Sequence, residues 1–266
     1  MLEFAVRPET PQKEIDHSPS APTIAIIPAR YHSSRLPGKP LADINGRTMV
    51  EHVYRRASMA KSIDDLLVAT DDLRIHKAVT AFGGNVTMTS VDHLTGTDRL
   101  AEVSATLSCE TIVNVQADEP LIAPDNIDLI VKALNENRNV SVSTLRCPIS
   151  SSKEFLDKNV VKVVVDSSGL ALYFSRAPIP FTDAPELTET PTLYKHIGLY
   201  AYRRSFLIEL ANLSRKPLEQ TERLEQLRVL EYGHKIQTIE TTKDSVGVDT
   251  PEDLTRVRQI VTSGVE

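Results

Sequence analysis

The sequence predicts an α/β fold in which a parallel sheet is covered by helices on both faces. Short β-rich runs alternate with helical patterns, and runs such as residues 66–70 are apolar almost throughout, as strands of such sheets are. The chain has 266 residues, 41% of them hydrophobic and 25% charged, so it can bury a full core as one large domain. No apolar run approaches the roughly 20 residues of a membrane span.

The first 22 residues differ from the rest of the chain. They are rich in Pro, Glu and Ser and contain no apolar stretch of the kind found in signal peptides. The sequence therefore predicts a disordered N-terminal extension over residues 1–22 and a folded domain over residues 23–266.

The first half of that domain alternates strictly between strand and helix. Strands are predicted at 23–27, 66–70, 86–88 and 111–116. Four helices are predicted. The first begins after Thr48, the second ends at Phe82 before two glycines, the third spans 98–107, and the fourth runs from Pro124 to about residue 135.

The order of elements changes after residue 140. Strands are predicted at 140–145, 160–166, 171–175, 196–202 and 235–240, with the second and third joined as a hairpin through residues 167–169. Helices are predicted at 204–212, at 221–232 and from Pro251, with Thr250 as its N-cap. Four prolines between residues 178 and 191 predict a long irregular loop, which inside a compact protein is usually functional.

Composition excludes several classes of function. The net charge of −6, with no basic tract, argues against binding nucleic acid in bulk. Cys109 and Cys147 are isolated and the histidines have no metal-ligand spacing, so the sequence predicts reduced thiols, a cytoplasmic protein and no zinc site. There is no P-loop, no G-x-G-x-x-G and no G-x-S-x-G motif.

The loop after the first strand carries three cations, Arg30, Arg35 and Lys39. Pro37, Gly38 and Pro40 restrict it to turn-like and extended conformations. A strand, a rigid cationic loop and a helix together form a common site for a polyanion, because guanidinium groups grip phosphate oxygens and lysine adds a point charge. The alternative is a basic surface loop without a ligand.

Two carboxylates follow predicted strands that are far apart in sequence. Asp118 follows the strand at 111–116, and Asp249 precedes the last helix. Because ligands of open α/β sheets bind at the carboxyl ends of strands, both are expected beside the cationic loop, where they would suit Mg²⁺. The alternatives are a turn role for Asp118 and, for Asp249, a simple lead into the helix cap.

Other polar residues carry weaker signals. The segment from Thr95 to Arg99 is either a ligand-binding helix start or a plain cap. His196 either contacts a bound molecule or is a core histidine with its hydrogen bonds satisfied. Arg176 pairs with a carboxylate of the protein or of a substrate. The Glu225-Gln226 pair is either functional or part of an exposed helix face.

The motifs resemble those of the 3-deoxy-manno-octulosonate cytidylyltransferase family. They are R-L-P-G-K-P at 35–40, V-A-T-D at 68–71, T-G-T-D-R-L-A-E at 95–102, N-V-Q-A-D-E-P at 114–120, A-L-Y-F-S-R at 171–176, H-I-G-L-Y-A-Y-R at 196–203, L-E-Q-L-R-V-L-E-Y-G at 224–233 and G-V-D-T-P-E-D-L at 247–254. The resemblance covers about residues 23–262, with the motifs in family order.

This resemblance implies a Rossmann-like, mostly parallel α/β fold with a smaller dimerisation part, about residues 145–215, and hence a homodimer. The implied reaction joins CMP from CTP to the anomeric hydroxyl of 3-deoxy-D-manno-octulosonate (Kdo), releasing pyrophosphate, with Mg²⁺ as cofactor. The product feeds lipopolysaccharide biosynthesis. CTP and Kdo are thus the implied partners, with no nucleic acid and no membrane.

The resemblance also implies residue roles. The implied nucleotide-binding residues are Ala29, Arg30, Arg35, Lys39, Thr70, Asp71, Thr95, Gly96, Thr97 and Arg99. The implied sugar-acid pocket consists of Gln116, Arg176, His196, Tyr200, Glu225 and Gln226. Asp118 and Asp249 would hold Mg²⁺, and Arg30, Lys39 and Asp118 would be catalytic.

The sequence departs from the family pattern at three positions. Ala117 stands where the family has glycine, and it would be strained there if the backbone required a positive φ. Thr95 and Asp98 replace Ser and Glu, and Thr95 keeps the hydroxyl. The alternative functions are a cytidylyltransferase for another acid sugar, such as 8-amino-Kdo, and a catalytically silent nucleotide-binding module.

Overall fold

A computed structural model describes residues 22–33, 35–93, 95–182 and 193–264. The predicted disordered extension lies outside these residues except for Pro22, and so do Pro185 and Pro191 of the proline-rich stretch. In the described part of the chain, no helix is both long and apolar enough to cross a membrane.

The strands form one large sheet and one small hairpin. They are β1 Thr23–Ala29, β2 Asp43–Ile44, β3 Arg47–Thr48, β4 Asp65–Thr70, β5 Val86–Met88, β6 Thr111–Asn114, β7 Val142–Pro148, β8 Lys162–Val165, β9 Ala171–Ser175, β10 Tyr194–Arg203 and β11 Ile236–Glu240. The large sheet has the order β11-β7-β10-β6-β1-β4-β5, with β8 paired to β10 and β9 to β8.

Seven of the nine strands that the structure describes in the large sheet run in the same direction, in agreement with the predicted mostly parallel sheet. β1 lies between β4 and β6, and both neighbours run parallel to it, while β4 pairs with β5 and β7 with β11 in the same sense. β10 runs in the opposite direction, because it is antiparallel to β6, β7 and β8, and so does β9, which is antiparallel to β8. The fold is therefore a mostly parallel sheet with two reversed strands, β10 near its centre and β9 beside β8.

Helices cover both faces of this sheet. They are α1 Met49–Ala57, α2 Leu73–Ala81, α3 Gly96–Thr106, α4 Pro124–Glu136, α5 Ser152–Leu156, α6 Arg204–Asn212, α7 Pro217–Glu222, α8 Gln226–Glu231 and α9 Pro251–Ser263. A 3₁₀ turn, Lys39–Leu41, ends the cationic loop.

The alternation of side chains along β1 shows how the core is divided. Ala25 and Ile27 point into a cluster that includes side chains of α1, α2 and α4. Ile24 and Ile26 point into a second cluster with α3, α6 and α8. Since both faces of β1 are buried, the strand is apolar throughout, which is the pattern that predicted a sheet covered on both sides.

Several predicted boundaries are wrong. The single helix predicted at 221–232 is two helices, α7 and α8, because Arg223 adopts a left-handed conformation (φ 55°) that ends α7. The helix predicted from Asp98 begins at Gly96, since Thr95 and Asp98 form a capping box. The short helix α5 was not predicted.

The proposed dimerisation part, residues 145–215, contains α5, the β8–β9 hairpin, β10 and α6, and stays a prediction.

Candidate active site

A cavity of about 1240 Å³ opens where β1 and β6 end and where β10 crosses beside them. Most of the predicted site residues line it, and they come from segments far apart in the sequence. They are Arg30, Arg35, Lys39, Thr95, Gly96, Thr97, Arg99, Gln116, Asp118, Arg176, His196, Tyr200, Glu225, Gln226 and Asp249. The cavity therefore lies at the carboxyl ends of parallel strands, which is the edge where open α/β sheets bind their ligands.

The cationic loop is closed on itself at its base. The carbonyl of Tyr31 accepts a hydrogen bond from the Gly38 N–H at 3.1 Å. Gly38 has a φ of 68°, and a β-carbon there would lie 3.1 Å from the Tyr31 ring, so the position suits glycine on both counts. The guanidinium of Arg74 lies 3.2 Å from the centre of the same ring. These contacts hold the loop that presents Arg35 and Lys39.

Lys39 joins the two predicted metal-binding carboxylates. Its Nζ donates to Asp118 Oδ2 at 2.6 Å and to Asp249 Oδ1 at 3.1 Å. Arg35 Nη2 lies 3.1 Å from the same oxygen of Asp249. Burial lowers the pKa of Lys39, but the two carboxylates outweigh it and the pKa is raised overall, so the amine is a cation at neutral pH.

Each carboxylate is placed by the backbone around it. The carbonyl of Asp118 accepts from the Val248 N–H at 2.9 Å, which ties the loop after β6 to the loop before α9. The cap of α9 is formed by Thr250 and Asp253, and the Asp249 N–H donates to Asp253 at 3.1 Å. The Asp249 side chain is not used in this cap and turns to the cations, so Asp249 is more than a lead into the helix.

These carboxylates fit a hard divalent cation. Both offer oxygen ligands, and the contacts to Lys39 and Arg35 use one oxygen of each. Among the described residues, no group of three or more His, Cys, Asp or Glu side chains could hold a metal ion. Two carboxylates leave most coordination positions to water and substrate, which suits Mg²⁺ bound with a phosphate better than an all-protein cage.

Glu119 is a polar residue of this region that sequence reasoning did not single out. Its Oε2 is buried without a hydrogen-bond partner in the described part of the chain. Burial, and then the charge of Asp118, raise the pKa of Glu119 to about 7. The only sequence signal was its place directly after Asp118 in the 114–120 motif.

The start of α3 forms another wall of the cavity. Thr95 and Asp98 bond each other's backbone N–H groups, at 3.2 and 3.1 Å, so both side chains form the cap of α3. Thr97 instead donates its hydroxyl to Glu225 Oε2 at 2.7 Å. The Arg99 side chain is buried, and its Nη2 lies 2.8 Å from Asp71 Oδ2. Arg99 thus reaches the cavity as a fixed cation.

Ala29, Thr70 and Asp71 do not line the cavity. Ala29 and Thr70 are almost fully buried at the ends of β1 and β4. Asp71 contacts the cavity only through Arg99. Their predicted nucleotide-binding role stays a prediction, and the structure gives Asp71 a positioning contact behind the wall. Ala117 is not strained, because the positive φ angles of non-glycine residues in the described chain belong to Asn45 and Arg223.

The wall near β10 carries the residues predicted for a sugar acid. Arg176 donates from Nε to the Glu222 carbonyl at 2.9 Å and from Nη1 to the Lys158 carbonyl at 3.2 Å, so its guanidinium is held by backbone oxygens. Desolvation by the surrounding protein raises the pKa of the Glu225 carboxyl. Tyr200 stacks on Tyr202, with ring centres 5.7 Å apart.

Two lysines in or behind this wall were missed. Lys195 pairs with Glu154 and with Asp244, the latter at 2.6 Å, and so connects β10 to the loop that leads to Asp249. Lys162 is fully buried, and its Nζ donates to the carbonyls of Asp157, Val160 and Arg176 at 2.6–2.9 Å. A lone lysine inside the apolar run of β8 was the available signal for a buried, satisfied amine.

Comparisons with known proteins agree with this geometry. Residues 24–236 match the family described as Cytidylyltransferase. A 3-deoxy-manno-octulosonate cytidylyltransferase of Syntrophotalea carbinolica is 54% identical over 239 residues, covering 88% of this chain and 96% of that protein. One of Geobacter sulfurreducens is 53% identical over 241 residues, with the same coverages.

Among solved structures, the chain is similar to a CMP:2-keto-3-deoxy-manno-octonic acid synthetase complexed with CTP. The two are 43% identical and superpose with a TM-score of 0.86, over 92% of this chain and 100% of that one. The similarity is therefore one of the whole fold and covers most of this chain.

Proposed function

The chain belongs to the cytidylyltransferase family, and from this premise we propose that it transfers CMP from CTP to the anomeric hydroxyl of Kdo for lipopolysaccharide biosynthesis. The observation that carries the proposal is the contact of Lys39 with both Asp118 and Asp249, beside Arg35 in a closed loop. In the reaction, the hydroxyl oxygen bonds to the α-phosphorus of CTP, the bond to pyrophosphate breaks, and the hydroxyl proton is released.

The reactants are both anions, so the barrier is largely electrostatic. Arg30, Arg35 and Lys39 line the cavity, and the loop that carries them is already closed by the contact of Tyr31 with Gly38. Cations that are fixed before the reaction stabilise developing phosphate charge without reorganising. We assign these three residues to the triphosphate and assign no protein base.

Cytidylyltransferases generally use divalent metal ions, and for this chain we assign Mg²⁺ to Asp118 and Asp249. When bound, the ion neutralises phosphate charge and lowers the pKa of the attacking hydroxyl. The contribution of the protein is to hold two carboxylates next to Lys39, which remains a cation and balances their charge in the absence of substrate.

The remaining walls divide the substrates. We assign the α3 wall, with Thr95, Gly96, Thr97 and Arg99, to the cytidine, because polar groups that a cytosine edge satisfies would be left unpaired by a purine. We assign Gln116, Arg176, His196, Tyr200, Glu225 and Gln226 to the sugar acid, with Arg176 for its carboxylate. The proposal also includes a cytoplasmic location and a homodimeric state. Light scattering of the purified protein tests the homodimer.

The test of function is a panel of nucleotides and sugar acids read by pyrophosphate release. CTP, ATP and GTP are each combined with Kdo, 8-amino-Kdo and sialic acid in the presence of Mg²⁺. The expected result is release with CTP and Kdo, and far slower release with the purine nucleotides. Faster release with 8-amino-Kdo than with Kdo would make 8-amino-Kdo the substrate. Equal turnover with GTP and CTP would contradict the assignment of the α3 wall to cytidine. No release with any pair would indicate a silent nucleotide-binding module.

A further inference from the structure

The hydroxyl of Thr144 on β7 is enclosed by three polar atoms of β10. Thr144 is completely buried, and its Oγ1 lies 2.9 Å from His196 Nε2, 2.8 Å from the Leu199 carbonyl oxygen and 3.2 Å from the Ile197 carbonyl oxygen. The pairing of β10 with β7 is irregular between Ile197 and Tyr200. This bulge turns two carbonyls toward one side chain, which regular pairing does not do.

Counting protons fixes the direction of each hydrogen bond. A hydroxyl has a single proton to donate, and carbonyl oxygens only accept. If the proton pointed at His196, the Thr144 oxygen would face two carbonyl oxygens with no proton between them. The proton therefore goes to a carbonyl, and the bond with the ring runs from the His196 Nε2–H to Thr144 Oγ1.

This assigns the tautomer of His196. A neutral imidazole carries one N–H, so a proton on Nε2 leaves Nδ1 with a lone pair. Burial lowers the pKa of His196 to about 3, so the ring is neutral at neutral pH. The ring packs edge-on against Phe174 and beside Tyr200, and the residue lines the cavity.

We infer that Thr144 is a positioning residue that makes His196 present Nδ1 to the cavity as a hydrogen-bond acceptor. An acceptor at this place selects a hydroxyl of the sugar acid and repels its carboxylate, which must then be received elsewhere on the wall. The identity of the bound molecule rests on the proposed function, whereas the tautomer does not.

The tautomer is measured in the ligand-free protein by two-bond ¹H–¹⁵N correlation spectra, with His196 assigned from the spectrum of His196→Gln. We expect the proton on Nε2 in the wild type and in Thr144→Ser, which keeps the hydroxyl. In Thr144→Val, which keeps the shape but removes the acceptor, the signature of Nε2–H should be lost. Thr111→Val, a change of a buried threonine on β6 outside the cavity, is the matched control.

Kinetics supply the second measurement. Thr144→Val should raise the KM for the sugar acid about tenfold, with the KM for CTP unchanged, while Thr144→Ser and Thr111→Val should behave as the wild type. A proton on Nδ1 in the wild type, or equal sugar-acid KM values for the Val and Ser variants, would overturn the inference. If no sugar acid is turned over at all, the proposed function fails, and the tautomer is still decided by the spectra.

Discussion

Replacing Lys39 with methionine tests the centre of the site. Methionine keeps most of the aliphatic stem and removes the ammonium that contacts Asp118 at 2.6 Å and Asp249 at 3.1 Å. We expect turnover to fall on the order of a hundredfold, as for the loss of one transition-state donor. The fold should survive, because the side chain contributes little to the hydrophobic core.

The cost in stability follows from the geometry. Two oxygens that share one partner at 2.6 and 3.1 Å are at most about 6 Å apart, and at an effective dielectric constant of about 20 their repulsion is about 3 kcal/mol. The Asp118 and Asp249 side chains are 31% and 50% exposed, so water and salt screen much of this. A loss of about 1–2 kcal/mol in unfolding free energy, and about 3–6 °C in Tm, is expected.

The same change should strengthen the response to metal alone. Without the ammonium, the carboxylates lose the cation that neutralises them, so Mg²⁺ should raise the Tm of Lys39→Met more than that of the wild type. Differential scanning fluorimetry with and without Mg²⁺ measures both effects. Lys77→Met, at an exposed position on α2, is the control. A variant with wild-type turnover, or with a smaller metal response than the wild type, would refute this account of Lys39.

Three further predictions concern single side chains. Asp118→Asn and Asp249→Asn should each abolish most pyrophosphate release while changing the unfolding free energy by no more than about 1 kcal/mol. If Asp249→Asn loses activity because the protein unfolds, Asp249 has a structural role instead. Lys162→Met should lower the unfolding free energy by about 3–5 kcal/mol in urea titrations, because three buried carbonyls lose their donor, and an unchanged midpoint would contradict it. His196 has a pKa of about 3 in the folded protein, against about 6.5 in the unfolded chain. The neutral ring therefore stabilises the folded protein fully above pH 6.5, and this stabilisation is lost as the pH falls toward 3. The stability advantage of the wild type over His196→Gln should therefore shrink by about 2–3 kcal/mol between about pH 7.5 and 4.5, and a constant difference would disprove the shift.

The order of elements along the sequence was enough to place the cationic loop, Asp118 and Asp249 at one edge of the sheet. Arg35, Lys39, Asp118 and Asp249 follow or precede elements of a parallel sheet, and the carboxyl ends of parallel strands meet at one edge whatever their register. This rule needs only the order of elements, so it could be applied before any contact was known.

The contacts of the two missed lysines near β10 required information that the sequence does not carry locally. Lys162 and Lys195 lie in strands whose antiparallel register decides which side chains meet, and no pattern within β8 or β10 specifies that register. The break at Arg223 is similar, because a left-handed arginine has no propensity signal and is imposed by the packing of α7 and α8. Thr144 was invisible for the same reason: its role depends on a bulge in the partner strand.

The reversed direction of β10 gives the cavity two sides that are built in different ways. The wall of loops after β1 and β6 depends on parallel strands, whereas the opposite wall depends on the β8–β9 hairpin and on β10. β8 and β9 do not pair with β1 or β6, so substitutions in this hairpin leave the strands that lead to Lys39 and Asp118 in place. Under the proposed function, the side proposed for the sugar acid can therefore change while the side proposed for the triphosphate is kept.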